Sequence, residues 1–168
     1  AVDWFDQQTY DVTTASVGGG TSITTAKWNA VADKPGTSNY AAARGGRFDE
    51  VHVLVIDAKG TISGNAGTIL EKHLNLSKAK DAEFSVGSPS YWRKYLYTNS
   101  DNLFGLNGAP IGVTTTGFTG ANFTKFSDGE WDQDADGIIF NSCGATNLTL
   151  SGGLNYGGKA GITSTGAL

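Results

Sequence analysis

The sequence has few of the cysteines that cross-link small extracellular domains and none of the long apolar runs that form membrane-spanning helices. Its one cysteine, Cys143, cannot form a disulfide within the chain, so the fold does not depend on such a bond. No apolar run reaches the roughly 18 residues of a membrane-spanning helix, which argues against direct membrane insertion. Charged residues are only 17% of the chain and the net charge is −4, so the basic surface that binds nucleic acid is missing. Disulfide scaffolds, membrane-spanning chains and nucleic-acid-binding domains are therefore disfavoured.

Methionine and a secretory signal pattern are also missing. The chain starts at Ala1 and stops at Leu168 without a closing structural element, so we expect it to be a piece of a longer or processed protein. Glycine is abundant instead, at 24 of 168 residues, and 11% of the chain is aromatic. This composition favours many short strands and turns over a helical bundle. The length predicts one domain, or one domain with a small annex.

The stretch from Asp49 to Ala79 organises the chain. The β-branched run Val51–Ile56 predicts a buried strand, and the glycine-rich segments at 59–60 and 64–67 predict turns. The segment Thr68–Leu76 then resumes with leucines at mostly even spacing, which favours an antiparallel hairpin. A helix that begins at Thr68 is the competing prediction, because several of the same residues also fit helical spacing.

Around this hairpin the sequence predicts short elements. Strand propensity covers Thr9–Val17, and Gly18–Gly20 predicts a turn. Three helices are predicted at Thr25–Asp33, Thr37–Arg44 and Ser88–Tyr97. In the third, Ser88 should cap the helix, Pro89 should take its first position, and Trp92, Tyr95 and Leu96 should face the sheet. The polar stretch Lys78–Val86 predicts a loop, and Ile138–Phe140 predicts a short buried strand.

The sharpest chemical motif is Asp132–Gly137, in which Asp132, Asp134 and Asp136 alternate before a glycine. Alternating carboxylates followed by a turn-forming glycine are how a calcium loop gathers oxygen ligands. The twelfth loop position, however, is Cys143 rather than a bidentate glutamate. The two interpretations are a partial calcium site and a solvated acidic turn. We predict no metal site and no cofactor, with these three aspartates as the remaining calcium candidates.

Other candidate chemistry lies on the hairpin. Paired carboxylates for glycoside hydrolysis could come from Asp49, Glu50, Asp57 and Glu71, but sequence spacing cannot set their separation. We predict that they are surface residues at the hairpin ends. His52 and His73 could form a cross-strand pair, but two histidines without a third ligand are a weak metal site. Cys143 has no histidine signature nearby, so it is predicted to be a small buried residue and not a nucleophile.

An ordered set of motifs resembles the tail sheath proteins of contractile-tailed bacteriophages. It includes a D-E-x-H-V-x-V-x-D strand at Asp49–Asp57, an S-G-x-x-G-T-x-L-E turn and strand at Ser63–Glu71, and an S-K-A-x-D-A segment at Ser77–Ala82. Residues 26–104 match the family well, 147–168 moderately, and 1–25 and 105–146 little. The segments that carry the resemblance are 35–41, 49–57, 64–72, 76–82, 91–100 and 148–153.

The resemblance implies a non-enzymatic structural subunit. Family members stack as helically arranged rings around a tail tube and contract to drive it through the host envelope. Implied partners are further sheath subunits, the tail tube protein, the baseplate and the tail terminator, in the virion and, during assembly, in the host cytoplasm. The implied fold is α+β, with β-sandwich-like antiparallel sheets and a few short flanking helices. Residues 1–36 would be a peripheral N-terminal segment and 37–168 the β-rich middle domain, with 105–146 as an outer insertion.

A second interpretation comes from a different class of protein. The same composition fits an extracellular β-sandwich module that binds carbohydrate or mediates adhesion, with the loop at Asp132–Asp136 as its calcium site. An enzyme is the third interpretation, and it would need a catalytic constellation that the sequence does not display. Thermal melting with calcium and with a chelator would separate the first two, because only the module should lose stability when calcium is removed.

Overall fold

The computed structural model describes residues 2–15, 21–103, 135–140, 144, 145 and 147. Two 3-10 turns lie at Trp4–Gln7 and Trp28–Ala30. The strands are β1 (Thr9–Ala15), β2 (Thr21–Lys27), β3 (Glu50–Asp57), β4 (Thr68–Ser77), β5 (Glu83–Ser85) and β6 (Ser88–Pro89). The helices are α1 (Asn39–Ala43) and α2 (Trp92–Asn99). In this part of the chain the strands form three antiparallel two-stranded sheets, β1–β2, β3–β4 and β5–β6.

The first hairpin pairs β1 with β2 in an unbroken register from Thr9 opposite Lys27 to Ala15 opposite Thr21. The strand predicted at Thr9–Val17 is confirmed for its described part, whereas the turn predicted at Gly18–Gly20 lies outside the described residues. The helix predicted at Thr25–Asp33 is wrong. Its first residues belong to β2, because the β-branched threonines there suit a paired strand better than a helix.

The central antiparallel hairpin is confirmed, and the alternative helix from Thr68 is wrong. Glu50 pairs with Ser77 at one end and Asp57 with Thr68 at the other. The register shifts twice, between Val51 and Val53 and between Val55 and Ile56. The predicted burial is wrong, however: every residue of β3 before Asp57 is only half-buried. Among the described residues, Val51 and Val53 of this run pack against the buried cluster that contains α2.

One apolar cluster joins α2 to the central hairpin. Leu76, Trp92 and Leu96 are buried together, with Val51, Val53, Tyr91, Tyr95 and Leu103 packed around them. The predicted helix face is therefore confirmed. The predicted start of the helix is wrong, because Ser88 and Pro89 form β6 and Tyr91 is the N-cap residue. Strand-like bonding prevails there: Ser77 N donates to Ser90 O at 2.7 Å, and Ser77 and Tyr91 form a parallel bridge.

A second cluster, of four alanines and one phenylalanine, lies around α1. Ala41, Ala79, Ala82, Ala135 and Phe140 are buried together. The helix predicted at Thr37–Arg44 is confirmed in a shorter form, and its cap is Ser38, whose Oγ accepts a hydrogen bond from Ala41 N.

Two further predictions are corrected beside this cluster. Lys78–Val86 is not a plain polar loop, because Lys78, Ala79 and Ala82 are buried and β5 follows. The predicted buried strand at Ile138–Phe140 is only a parallel bridge between Arg47 and Ile139, with Phe140 buried and Ile139 63% exposed. Gly46 allows the chain to pass close to Ala135 beside this bridge, because a Cβ at position 46 would lie 2.4 Å from the Ala135 carbonyl oxygen.

The fold class is thus mixed α+β, with small antiparallel sheets and few helices. The division at residue 36 and the outer insertion at 105–146 stay predictions. Across the described ranges, none of the helices has the length and apolar character needed to cross a bilayer.

Candidate functional site

The central hairpin carries the carboxylates that the sequence placed at a surface, and this prediction is wrong. Asp49 is fully buried, Asp57 is 5% exposed and the Glu71 side chain is 10% exposed. Glu50 is half-buried. A buried carboxylate is tolerated only where hydrogen bonds replace its water. The partners of each group therefore reveal what it does.

Asp49 joins three separate parts of the chain. Its Oδ1 accepts from Ser38 N at 2.8 Å, and its Oδ2 accepts from Ser38 Oγ at 2.7 Å and from Ser77 Oγ. Its backbone carbonyl accepts from Lys78 N at 2.8 Å. Phe48, just before it, holds φ at 63°, a left-handed conformation that is unusual for a residue with a side chain. The carboxylate fixes the start of α1 and the end of β4 to the start of β3.

Asp57 organises the connection between β3 and β4. Its carboxylate accepts from the backbone N–H groups of Thr61, Ile62 and Ser63 at 3.1, 2.9 and 2.8 Å, and from Ser63 Oγ at 3.0 Å. The Ser63 backbone bond, with help from the other donors, outweighs the desolvation of the group and lowers its pKa to about 2. The loop that follows β3 is therefore fixed by an internal anion, not left to solvent.

Glu71 fixes the segment that follows α2. Its Oε2 accepts from His73 Nε2 and Ser100 Oγ, both at 2.6 Å. Its Oε1 accepts from the backbone N–H groups of Asp101 and Asn102 at 3.0 and 2.8 Å. Burial by itself raises the pKa of this carboxyl, but the hydrogen bonds from Ser100, His73 and Asn102 prevail and bring it down to about 2.

The two histidines do not form a pair. His52 lies at a register shift of the hairpin, where its Nδ1 accepts from Asn75 N at 2.9 Å and its Nε2 lies 2.8 Å from the Asp33 carbonyl oxygen. With Nδ1 as the acceptor, Nε2 is the ring nitrogen that faces the Asp33 carbonyl oxygen. His73 sits opposite Val53 and bonds to Glu71. His52 therefore links the hairpin to the chain at Asp33, whereas His73 bonds within β4.

Only one of the three calcium candidates lies among the described residues. Asp136 is exposed on a turn beside Gly137, whose φ is 66°, while Asp132, Asp134 and Cys143 lie outside the described residues. Among the residues that the structure describes, no three His, Cys, Asp or Glu side chains converge as ligands for a metal ion. The four carboxylates serve as anchors: Asp49 and Glu50 both hold the segment before α1, Asp57 holds the loop after β3, and Glu71 holds the segment after α2.

A polar depression of about 170 Å³ lies at the open end of the central hairpin, opposite the loop that joins β3 to β4. Glu50 is fixed at its edge, because its Oε2 accepts from Gly36 N at 2.8 Å and from Asn75 Nδ2 at 3.1 Å. Among its described lining residues none is lysine or arginine. The side chains that give it its character are Asn39, Glu50, Asn75, Glu83, Phe84 and Ser90.

Sequence reasoning missed the serines and asparagine that pair with the carboxylates. Ser38, Ser77, Ser100 and Asn102 each contact Asp49 or Glu71, although 11 to 31 residues separate the partners. Only Ser38 had a local signal, because a serine immediately before a short helix is a favoured cap.

Comparison of the chain with protein-family models, with curated proteins and with solved structures finds no match. The geometry therefore has to be interpreted by itself. Its hairpin carboxylates accept hydrogen bonds from backbone, hydroxyl, amide and imidazole donors, an arrangement that suits the anchoring of chain segments.

Proposed function

We propose that this chain is the middle-domain portion of a contractile tail sheath subunit, a non-enzymatic structural protein that needs no cofactor. One observation carries the proposal. Three segments that bear the resemblance to that family, at 35–41, 49–57 and 76–82, meet at a single buried residue, Asp49. Motifs that are far apart in sequence thus belong to one structural unit, which is what a shared scaffold requires.

The character of the hydrogen bonds also supports a scaffold. Asp57 and Glu71 accept from five backbone N–H groups between them, and both groups have a pKa near 2. Groups that are fully ionised and fully bonded at neutral pH are poor acids or bases for catalysis there. They are well suited to hold a domain rigid while whole subunits move against one another.

The finer features of the proposal follow from the resemblance. The small sheets pack in a β-sandwich-like arrangement on the outer part of the sheath. The assembled protein surrounds the tail tube in helically stacked rings and contracts to drive the tube through the host envelope. Its partners are further subunits, the tube protein, the baseplate and the tail terminator, and its location is the virion.

Electron microscopy of the product of the complete gene tests the proposal. We expect tubular sheaths with a helical repeat when this protein is produced alone or with its tube protein. A product that stays dispersed under every condition of salt, pH and tube protein would contradict it. An Asp49→Ala variant should form fewer tubes because its domain is destabilised, while Asp11→Ala, at an exposed position of β1, should assemble like the wild type.

A further inference from the structure

The two ends of the central hairpin differ in charge and shape. At the open end, the polar depression presents the carboxylates of Glu50 and Glu83. The loop from Ala58 to Gly67 forms the closed end. It lies about 25 Å from the open end, because the eight residues of β3 between the two ends are extended. One end is therefore an acidic receptor and the other is a compact projection.

The loop at the closed end carries one exposed basic side chain and one exposed apolar side chain. Lys59 is exposed, and Ile62 is 66% exposed. The loop is held in shape by the Asp57 carboxylate and by Gly60, whose φ is 72° and where a Cβ would lie 2.6 Å from Ala66 N. A preformed loop loses little conformational entropy when it binds, which favours association.

The open end offers the complementary groups. Phe84 on β5 is 53% exposed at the edge of the depression, and Val86 is fully exposed in the turn after β5. Ser90 also lines the depression, with 2% exposure, and its Oγ has no hydrogen-bond partner among the described residues. A buried hydroxyl without a partner is costly, and a donor that seats deeply in the depression would satisfy it.

We propose that Lys59 of one copy of this chain enters the acidic depression of the next copy, with Ile62 against Phe84 and Val86. The occupant is a second copy because the same chain carries both halves, an ammonium group for two carboxylates and an exposed aliphatic side chain for an exposed apolar edge. This contact specifies one interface of the assembly proposed above, and its biological role rests on that proposal.

The contact has a defined symmetry. It joins two different surfaces of the chain, so it is heterologous, and each copy keeps a free loop at one end and a free depression at the other. Heterologous contacts that repeat produce closed rings or open helical polymers. Either product suits a sheath, whereas a twofold dimer would use one surface on both copies.

Charge reversal tests the contact in the 168-residue chain by sedimentation velocity. Lys59→Glu and Glu83→Lys should each weaken self-association by about tenfold or more, because like charges then face each other. The double variant Lys59→Glu with Glu83→Lys should recover most of the loss. Lys94→Glu is the matched control, since Lys94 is an exposed lysine on α2 outside both surfaces.

Ser90→Ala separates binding from folding. It should leave monomer stability equal or higher, because an unpaired buried hydroxyl is removed, and it should weaken self-association. A wild-type chain that stays monomeric overturns the proposal. So do single variants that associate like the wild type, or a double variant that recovers nothing.

Electron microscopy of the complete gene product distinguishes the two proposals. Tubes that form equally well with Lys59→Glu and with Glu83→Lys overturn this contact and leave the sheath function standing. Association that follows the charge-reversal pattern, in a protein that never forms tubes, supports the contact and contradicts the sheath function.

Discussion

The two larger hairpins of this chain are held by different means. The β1–β2 hairpin has seven pairs in one register, and few of its described side chains reach beyond it. The β3–β4 hairpin has a register shifted at two places, and its side chains bond to the start of α1, to the loop at its closed end and to the segment after α2. The first is fixed by backbone pairing, and the second fixes other parts of the chain.

This difference has an energetic consequence. Truncating a side chain of the first hairpin should lower the free energy of unfolding only through the loss of that side chain's own contacts. Removing one from the second should also release the segment that it holds and leave buried donors without acceptors. Four predictions test this contrast, and the largest loss of stability is expected on substitution of Asp49.

Asp49→Ala should lower the free energy of unfolding by about 3 kcal/mol, because the Ser38 N–H and two hydroxyls lose a buried acceptor. Asp11→Ala, at an exposed position of β1, should change it by less than about 0.5 kcal/mol. Urea denaturation followed by far-ultraviolet circular dichroism measures both. Equal midpoints for the two variants would show that the buried carboxylate anchors nothing.

Leu96→Ala should cost about 2 to 3 kcal/mol, because Leu96 is 1% exposed and packs on Leu76 and Trp92 in the cluster that joins α2 to the sheet. Tyr97→Ala, one residue further on the same helix, is the control at 54% exposure and should be nearly neutral. The same denaturation experiment applies. A neutral Leu96→Ala would mean that α2 contributes little to holding the central hairpin.

Acid should weaken the second hairpin selectively. The pKa of Glu71 falls from 4.5 to about 2 on folding, so its stabilising contribution is complete above about pH 4.5 and is lost as the pH falls towards 2. Asp57, lowered from 3.8 to about 2, acts in the lower part of the same window. Glu71→Gln should therefore reduce stability at neutral pH and flatten its decline between about pH 4.5 and 2.

The pH profile of the free energy of unfolding, taken from urea titrations at each pH, provides the measurement. Asp101→Asn is a suitable control, since Asp101 uses its backbone N–H and not its exposed carboxylate to bond Glu71. A Glu71→Gln profile parallel to that of the wild type would contradict the role assigned to the carboxylate.

Sequence reasoning found the local features of this contrast and missed the distant ones. The central hairpin, the short helix around Ala41 and the apolar face of α2 follow from periodicity, glycine turns and capping. The start of α2 was wrong because Ser88-Pro89 is a good helix start locally, yet the chain there bonds to β4 and β5. Tertiary pairing prevailed over a local signal.

The candidate site shows the same limit more sharply. Asp49 and Glu71 look like surface residues in the sequence, because all of their side-chain partners except His73 lie 11 to 31 residues away and leave no periodic trace. The predicted burial of β3 failed for the complementary reason. A β-branched run indicates a strand that can be buried, but the amount of cover depends on elements whose placement the run does not encode.

Asn75 gives the smallest and most diagnostic effect. Its φ is 57°, and its side chain bonds Glu50, so Asn75→Ala should cost about 1 kcal/mol through strain while Asn75→Gly, which adopts this conformation freely, should cost less. At Thr24, in the regular β2, the order should reverse, because glycine in a paired strand is worse than alanine by about 0.5 to 1 kcal/mol. Denaturation midpoints of Asn75→Ala, Asn75→Gly, Thr24→Ala and Thr24→Gly measure the order of stability at each position. If the glycine variant were less stable than the alanine variant at both positions, the left-handed conformation of Asn75 would not shape the second hairpin. The contrast between the two hairpins would then rest on the carboxylates alone.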